Sequence, residues 1–281
     1  MTLNLTIRPV EEKDRAAVIA VEGKSMPHWR YVEQVFDQFM GHPNGEFSLA
    51  EFDGQVVACA KFTVMPEGSA WVETLRVDSD FQGRGIGKAL YKRFFEIAKE
   101  QNVDTLRMYT GMKNKVSRGL AEHFGFVLEA SFYGANYSLE SAVPLDDHHF
   151  EPVTDVSQAI DLLMPLSQDW NGFMVMNRTF YRLTPELCGY LVDHGRVFAD
   201  PTSNSVIAFG ARFMPDVSQH IGLFGGDEAA CLRFAKSEGK KRGASSLACL
   251  FPVAAESTRA VLKGAGFEET PAGFIVMKGS V

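Results

Sequence analysis

The sequence predicts an α/β protein made of two copies of one fold, each a mixed, mostly antiparallel sheet flanked by helices around a central βαβ unit. The first observation behind this fold class is that helical and strand patterns alternate along the 281 residues. The second is Asp53-Gly54 between two alternating runs, because both residues tolerate the positive φ of a tight hairpin. The third is Gly125-Phe126, which recurs 141 positions later as Gly266-Phe267 and indicates a repeat.

The elements of the first copy follow one another with short connections. Its predicted helices are EEKDRAAVIAVEGKS, the less regular MPHWRYVEQVFDQFM, GKALYKRFFEIAKEQ and KNKVSRGLAEHF. Its predicted strands are LNLTIRPV, the hairpin FSLAEFDGQVVACAKFTVM, AWVETLRV, VDTLRMYT, and the closing strands GFVLEASF and ANYSLE. The acidic first turn of the first helix suits the positive end of the helix dipole. Leu90, Phe94 and Ile97 give the third helix one apolar face.

The second copy is expected to follow a linker, SAVPLDDHHFEPVTD, at residues 141–155. EPVTDVSQAIDLLM echoes the first helical segment, and VFADPTSNSVIAFGARF resembles the hairpin. The 141-residue offset also lays Leu106 on Leu247 and Gly85 on Gly226 without a gap. We therefore expect residues 1–142 to form the first domain and residues 143–281 the second.

Composition restricts the class of function. A net charge of −7 argues against nucleic-acid binding, which requires a basic face, and suits a cationic small substrate. The four cysteines are far apart, and His148-His149 reads as linker surface, so we expect neither a disulfide framework nor a metal site. The N-terminal segment has no apolar core, and no run approaches the ~20 apolar residues of a membrane span. We expect a soluble, cytoplasmic protein with no membrane partner, as a monomer or homodimer.

The glycine-rich stretch QGRGIGK, residues 82–88, indicates a binding loop. A nucleotide P-loop is excluded because Gln82 stands where its first glycine is required and Ala89 follows the lysine. A dinucleotide fingerprint is excluded because the three glycines are spaced GxGxG rather than GxGxxG. Between a strand and a helix, the backbone N–H groups of such a turn converge at the positive end of the helix dipole. A pyrophosphate is the natural ligand, although a purely structural turn would use glycine for the same backbone reasons.

These residues resemble the GNAT superfamily of N-acetyltransferases, whose signature is (Q/R)xxGx(G/A) after the fourth strand. The resemblance spans about residues 5–140. Gln82, Gly85 and Gly87 match that signature, and NKVSRGLAEHFGF matches a second family segment through Asn114 and Ser117.

The resemblance implies acetyl-CoA as co-substrate, held in a wedge between the fourth and fifth strands. It assigns the pantetheine arm to the backbone of Leu75, Arg76 and Val77. It assigns the pyrophosphate to Gln82, Gly83, Arg84, Gly85, Ile86, Gly87 and Lys88. A Cβ at Gly85 or Gly87 is expected to keep phosphate oxygens away from the amides. Asn114 and Ser117 are the remaining cofactor candidates, although Asn114 also suits a helix N-cap and Lys88 an ordinary solvated surface.

The resemblance also implies a catalytic base on the fourth strand, and Glu73 is the candidate, with its side chain on the same face as Leu75 and Val77. The alternative is a surface carboxylate paired with Arg76 or Arg107. A backbone amide near Leu75 is the expected donor to the developing oxyanion.

Family members commonly carry a tyrosine acid where this chain has Ala121. Tyr109 and Tyr137 on neighbouring strands are the candidate acids, with Tyr133 as a third. Alternatively no acid is needed, because a thiol with a pKa of about 8.5 leaves readily. Each tyrosine also suits the core or a pocket wall.

The acceptor segment of the family corresponds here to Trp29, Arg30 and Tyr31. The aromatic rings suit a pocket wall and Arg30 a carboxylate, although such a cluster also suits a core. In the second copy Leu223 replaces Gln82 and Glu228 replaces Gly87, so we expect one CoA site, in the first domain. The function implied is N-acetyl transfer to a small metabolite or amino-acid-like amine; the alternative is a non-catalytic acyl-CoA sensor.

Overall fold

The protein is described by a computed structural model that covers residues 5–26, 30–140 and 149–281. Its helices are α1 Arg15–Ser25, α2 Val32–Gly41, α3 Ile86–Glu100, α4 Lys115–His123, α5 Val156–Leu163, α6 Pro185–Asp193, α7 Glu228–Lys241 and α8 Glu256–Gly264. The first six strands are β1 Leu5–Pro9, β2 Gly45–Phe52, β3 Gln55–Val64, β4 Ala70–Val77, β5 Thr105–Gly111 and β6 Val127–Ser138. The remaining strands are β7 Glu151–Pro152, β8 Phe173–Met176, β9 Thr179–Arg182, β10 Val197–Asp200, β11 Ser205–Gly210, β12 Ser218–Gly225, β13 Ser246–Pro252, β14 Glu268–Glu269 and β15 Phe274–Ser280.

The chain divides into two compact units. Unit 1 comprises Met1–Met108, Asn114–Leu128 and Met277–Val281, and unit 2 comprises Tyr109–Lys113 and Glu129–Val276. The two domains expected from the sequence, residues 1–142 and 143–281, are the two copies of one fold. Their limits stay a prediction. Most of the linker expected at residues 141–155, including His148, lies outside the described residues.

Unit 1 contains a mixed sheet in the order β1-β2-β3-β4-β5. The first three pairings are antiparallel, and β4 pairs with β5 in parallel through the crossover helix α3. The hairpin turn is the predicted one, with Asp53 and Gly54 at φ 50° and 82°. The ring of Phe62 packs against Phe94 of α3, whereas Nζ of the preceding Lys61 donates to the carbonyl of Phe39 in α2. The two faces of β3 therefore pack against different helices, one against α3 and the other against α2.

The end of the chain belongs to unit 1. The amide of Val281 donates to the carbonyl of Asp104, and a Cβ at Gly279 would overlap the ring of Phe126. This close approach explains why glycine stands at position 279.

Unit 2 has the strand order β6-β13-β12-β11-β10-β7, with β14 beside β6. Its only parallel pairing in this order is β12 with β13, across helix α7, which repeats the βαβ unit of β4, α3 and β5. A separate two-stranded hairpin of β8 and β9 turns at Asn177 and Arg178, both with positive φ. The closing segment of the first copy is one continuous strand, β6, and the prediction of two closing strands is wrong.

The repeat is confirmed from the third helix onward. β5 and β13 begin and end 141 residues apart, as do α4 and α8. β4 and β12 are instead 148 residues apart, so the single ungapped offset is wrong before the helix. The connection from strand to helix runs over residues 78–85 in the first copy and over Gly226 and Asp227 alone in the second. The connection in which the binding loop is expected is therefore six residues longer in the first copy.

Candidate active site

Strands β4 and β5 diverge after a short contact. Their parallel pairing consists of Ala70 with Leu106 and Trp71 with Arg107, and no described pairing to β5 continues along the rest of β4. The backbone of Leu75, Arg76 and Val77 lies in the part of β4 beyond this contact. The expected wedge is therefore present between these strands in unit 1.

The glycine loop leads directly into α3. Gly83 and Gly85 have φ of 76° and 82°, and an ideal Cβ on either would meet no atom of the described residues within 4 Å. These glycines supply the left-handed conformation that other residues adopt only at a cost of about 1–2 kcal/mol. Their Cβ positions face open space, so this side of the loop is free for a ligand.

The N-terminus of α3 is uncapped by protein. Gly85 is the N-cap and makes no side-chain cap, and the first helical hydrogen bond runs from Ala89 to its carbonyl. Among the described residues no acceptor binds the N–H groups of Ile86, Gly87 or Lys88. These donors and the positive end of the helix dipole suit an anion.

The side chains of the loop are partly anchored to the protein. Gln82 donates to the carbonyl of Val77 at 3.2 Å, and Arg84 donates to the backbone carbonyl of Asp80 at 3.2 Å while it covers the ring of Phe81. Lys88 is exposed. Ile86 is buried, so it presents only its backbone amide to this site.

Gly87 has a different role from the one expected. A Cβ there would lie 3.1 Å from Leu120 Cδ2 and 3.9 Å from Leu75 Cδ2. Gly87 therefore permits α3 to approach its neighbours, and the expectation that a Cβ would displace phosphate at this position is wrong.

A β-bulge interrupts β4 at the expected base. Glu73 is opposite Lys61 and Arg76 is opposite Cys59, so three steps on β4 match two steps on β3. The extra residue falls at Thr74, a β-branched residue with φ 58°. The regular alternation of side chains on the strand therefore ends there.

The bulge corrects the expected orientation of Glu73. Residues directly opposite each other on paired strands share a face, which places Glu73 with Lys61 on the α2 side of the sheet. Leu75 points the other way, towards Gly87 in α3. The expectation that Glu73 and Leu75 share a face is wrong. Glu73 is only 8% exposed, which also argues against the surface carboxylate.

The α2 side of β4 carries a group of polar side chains beside Glu73. Tyr31 Oη and Thr74 Oγ1 lie 2.6 Å apart, and the Arg76 guanidinium lies 5.9 Å from the Tyr31 ring centroid. Glu22 in α1 accepts hydrogen bonds from the backbone N–H groups of Tyr31 and Val32. The structure thus brings Tyr31 together with the residues around the candidate base.

Arg30, which lies two residues before the first residue of α2, joins this group. Its Cζ lies 3.4 Å from the ideal Cβ position of Gly23, and its charge acts on Glu22. Burial raises the pKa of Glu22, and the Val32 amide and the nearby arginines only partly oppose this effect. Trp29, the third acceptor candidate, lies outside the described residues.

Helix α4 supplies the second family segment. Asn114 Oδ1 accepts from the Ser117 amide at 3.1 Å, so the N-cap interpretation of Asn114 is confirmed. Ala121, where the family commonly has tyrosine, is fully buried.

Two tyrosines proposed as acids belong to unit 2. The ring of Tyr109 lies 6.0 Å from each of Phe180 and Phe274. The ring of Tyr137 packs 5.3 Å from Phe267, with Lys236 Nζ 4.1 Å from its centroid. Both therefore have the aromatic surroundings of a core or pocket wall, and their role as acids stays a prediction.

The counterpart of the loop in unit 2 is closed. Asp227 caps α7 by accepting from the Ala230 amide at 3.0 Å, and Glu228 adds a carboxylate in the first turn. A Cβ at Gly226 would lie 2.6 Å from the carbonyl of Asn204. The helix terminus is thus occupied by the protein's own groups.

Sequence reasoning missed Glu22 and Thr74. The sequence signal at Glu22 is a carboxylate on a predicted helix that is followed by residues with backbone amides to donate. Which amides bind it, those of Tyr31 and Val32, depends on the path of residues 30–32. Thr74 carried no such signal, because β-branched residues favour regular strand geometry. Among the described residues no group of three potential metal ligands occurs.

Comparison with known proteins identifies the first copy. Residues 16–126 match the model of the acetyltransferase (GNAT) family. This part of the chain is therefore similar to a GNAT acetyltransferase domain. The mycothiol acetyltransferase of Beutenbergia cavernae is 34% identical over 74 residues, which are 26% of this chain and 25% of that protein. The match therefore spans about a quarter of the length of that relative.

Solved structures extend the GNAT fold over both copies. A GCN5-related N-acetyltransferase from Sphaerobacter thermophilus has a TM-score of 0.68 at 14% identity, over 98% of this chain and 95% of that chain. A tandem GNAT protein from the clavulanic acid biosynthesis pathway has a TM-score of 0.65 at 13% identity, over 99% and 98%. At these identities the likeness concerns the fold, and the chain has a tandem GNAT architecture.

No helix in the described parts of the chain is long and apolar enough to span a membrane.

Proposed function

We propose that this protein transfers the acetyl group of acetyl-CoA to the amine of a small metabolite or amino-acid-like acceptor. The observation that carries the proposal is the pairing of two features around β4. The uncapped N-terminus of α3 directly follows Gly83 and Gly85 in the chain. The buried carboxylate of Glu73 lies on the α2 face of β4. The GNAT family generally uses acetyl-CoA, and these residues fit it.

The co-substrate would be held mainly by backbone. The N–H groups at the start of α3, with Arg84 and Lys88 nearby, would hold the pyrophosphate. The free stretch of β4 over residues 75–77 would hold the pantetheine arm, and Asn114 and Ser117 at the start of α4 would border it. When bound, acetyl-CoA supplies an acetyl group activated as a thioester.

The protein's own contribution to the chemistry is proton transfer and orientation. An amine attacks only when neutral, and Glu73 would accept its proton at a carboxylate oxygen, directly or through water. The backbone N–H near Leu75 would stabilise negative charge on the reacting carbonyl oxygen. The leaving thiolate has low basicity, so an acid is not required, and the assignment of Tyr109 or Tyr137 as that acid stays a prediction.

Two measurements test the proposal. Calorimetry with acetyl-CoA should show binding at one site per chain, because the second helix terminus is closed by Asp227. Incubation with a panel of amines, amino acids and peptide N-termini should release free CoA thiol above the rate of hydrolysis without acceptor. Absence of acetyl-CoA binding would refute the proposed function altogether.

A non-catalytic acyl-CoA sensor is the second candidate. The buried Ala121 favours it, because the position offers no acid to the leaving thiolate. Binding of acetyl-CoA without turnover on any amine would support the sensor and refute the transferase. The limits of the two domains at residues 1–142 and 143–281, a cytoplasmic location, and a monomeric or homodimeric state stay predictions.

A further inference from the structure

The bulge in β4 gives Glu73 and Arg76 a common face. In a regular strand, residues three positions apart point to opposite faces. Here Glu73 is opposite Lys61 and Arg76 is opposite Cys59, and these two partners, two positions apart on β3, share a face. Glu73 and Arg76 therefore both lie on the α2 side, with the Thr74 and Tyr31 hydroxyls hydrogen-bonded to each other on this side.

The Arg76 side chain has unused hydrogen-bonding capacity. Its Nε is buried, with no partner among the described residues. Its hydrogen bond from Nη1 reaches the carbonyl of the adjacent Leu75 at 3.3 Å, a long contact for a charged donor. A guanidinium in this state suits a further acceptor, and a carboxylate matches its planar fork.

Positive charge exceeds negative charge around Arg76. Arg30 and Arg76 both act electrostatically on Glu22, and neither forms a salt bridge within the described parts of the chain. Glu22 uses one oxygen to accept two backbone N–H groups, and its other oxygen is buried without a partner. Two guanidinium groups thus act on the one carboxylate of Glu22, while Glu73 has the positively charged Lys61 directly opposite it on the neighbouring strand.

We propose that Arg76 and Arg30 bind a carboxylate of the acceptor beside the amine that Glu73 deprotonates, so that the acceptor is an amino acid with a free carboxylate. This inference rests on the proposed function and narrows its substrate. Glu22 is a positioning residue, because it fixes the amides of Tyr31 and Val32 and thereby the start of α2.

Matched acceptors test the inference. Each amino acid of a panel is compared with its carboxamide and its decarboxylated amine, and kcat/KM is measured from CoA thiol release. A charge-assisted hydrogen bond contributes enough for the wild type to favour the free acid by about 10- to 100-fold. Arg76→Gln and Arg30→Gln should each reduce this ratio by about tenfold, and Arg76→Lys should restore part of it.

The control variant is Arg259→Gln in unit 2, which also removes one positive charge and breaks a surface pair with Glu269. It should leave the ratio unchanged. Because Arg30 is exposed, its variant should remain folded even where the Arg76 variant does not.

The outcomes separate the inference from the proposed function. Equal turnover of acid, amide and amine by the wild type, or an unchanged ratio in the folded Arg30→Gln variant, overturns the inference and leaves the acetyltransferase proposal standing. If the wild type prefers O-phosphoethanolamine over every amino acid, the arginines bind a phosphate of the acceptor, and the inference of a carboxylate is overturned. Absence of turnover on all acceptors overturns both.

Discussion

Replacement of Gly85 by alanine separates the backbone role of this glycine from its role towards acetyl-CoA. Gly85 has φ 82°, and no atom in the described parts of the chain lies within 4 Å of an ideal Cβ there. Gly54 in the β2–β3 hairpin has the same φ and the same open surroundings, so Gly54→Ala is a matched control.

Both substitutions should cost the same folding free energy. The left-handed conformation costs alanine about 1–2 kcal/mol, and its smaller freedom in the unfolded chain offsets about 0.4–1 kcal/mol. The net loss of about 1 kcal/mol should lower Tm by roughly 2–4 °C in each variant. Differential scanning fluorimetry without ligand measures this shift.

Only Gly85→Ala should weaken acetyl-CoA binding. Its methyl group would enter the space in front of the N–H groups at the start of α3, and loss of one charge-assisted hydrogen bond raises Kd by about 10- to 100-fold. Calorimetry on both variants measures the difference. An equal Kd in the two variants, or a larger loss in Gly54→Ala, would refute the assignment of this loop to the pyrophosphate.

Four further predictions follow from the same structure. Glu73→Gln should lower kcat by about 10²- to 10⁴-fold while the Kd for acetyl-CoA changes less than twofold; an unchanged rate on a good acceptor removes Glu73 as the base. Gly87→Ala should raise that Kd less than threefold by calorimetry, because its Cβ points at Leu120 rather than at open space, and a loss as large as in Gly85→Ala would contradict this. Burial raises the pKa of Cys59 and of Cys231 to about 12 and that of Cys188 to about 11, so a thiol reagent should detect less than one equivalent in the native protein and all four thiols in denaturant. Burial opposes ionisation of Asp78, but hydrogen bonds from Lys24 and the Asp80 amide hold its pKa below the ordinary value; the Tm advantage of the wild type over Lys24→Met should therefore be complete at neutral pH and decrease progressively as pH falls below about 4, and an advantage that is independent of pH would contradict the pairing.

Local patterns predicted the elements around the site well. β4 was expected at the residues where it occurs, and the βαβ unit, the hairpin at Asp53-Gly54 and the N-cap at Asn114 are all present. These features depend on residues close in sequence, through φ preferences, capping and hydrophobic period.

The two errors at the site, on Glu73 and on Gly87, have one cause: sequence patterns do not show which residues these two positions contact. Alternation placed Glu73 and Leu75 on one face, whereas pairing with β3 inserts a bulge at Thr74. Loop chemistry assigned Gly87 to phosphate, whereas the packing of α3 against Leu120 decides its Cβ direction.

The sequence by itself determined that the chain holds a repeated βαβ fold, and it predicted one glycine loop for a pyrophosphate, because glycine spacing and residue period are local properties. Only the tertiary structure decided what the α2 face of β4 presents. The bulge that places Arg76 on the same face as Glu73, and the path of the chain that brings Arg30 and Tyr31 to Glu22, depend on strand register and helix packing. These long-range contacts select among side-chain directions that local propensity leaves equally open.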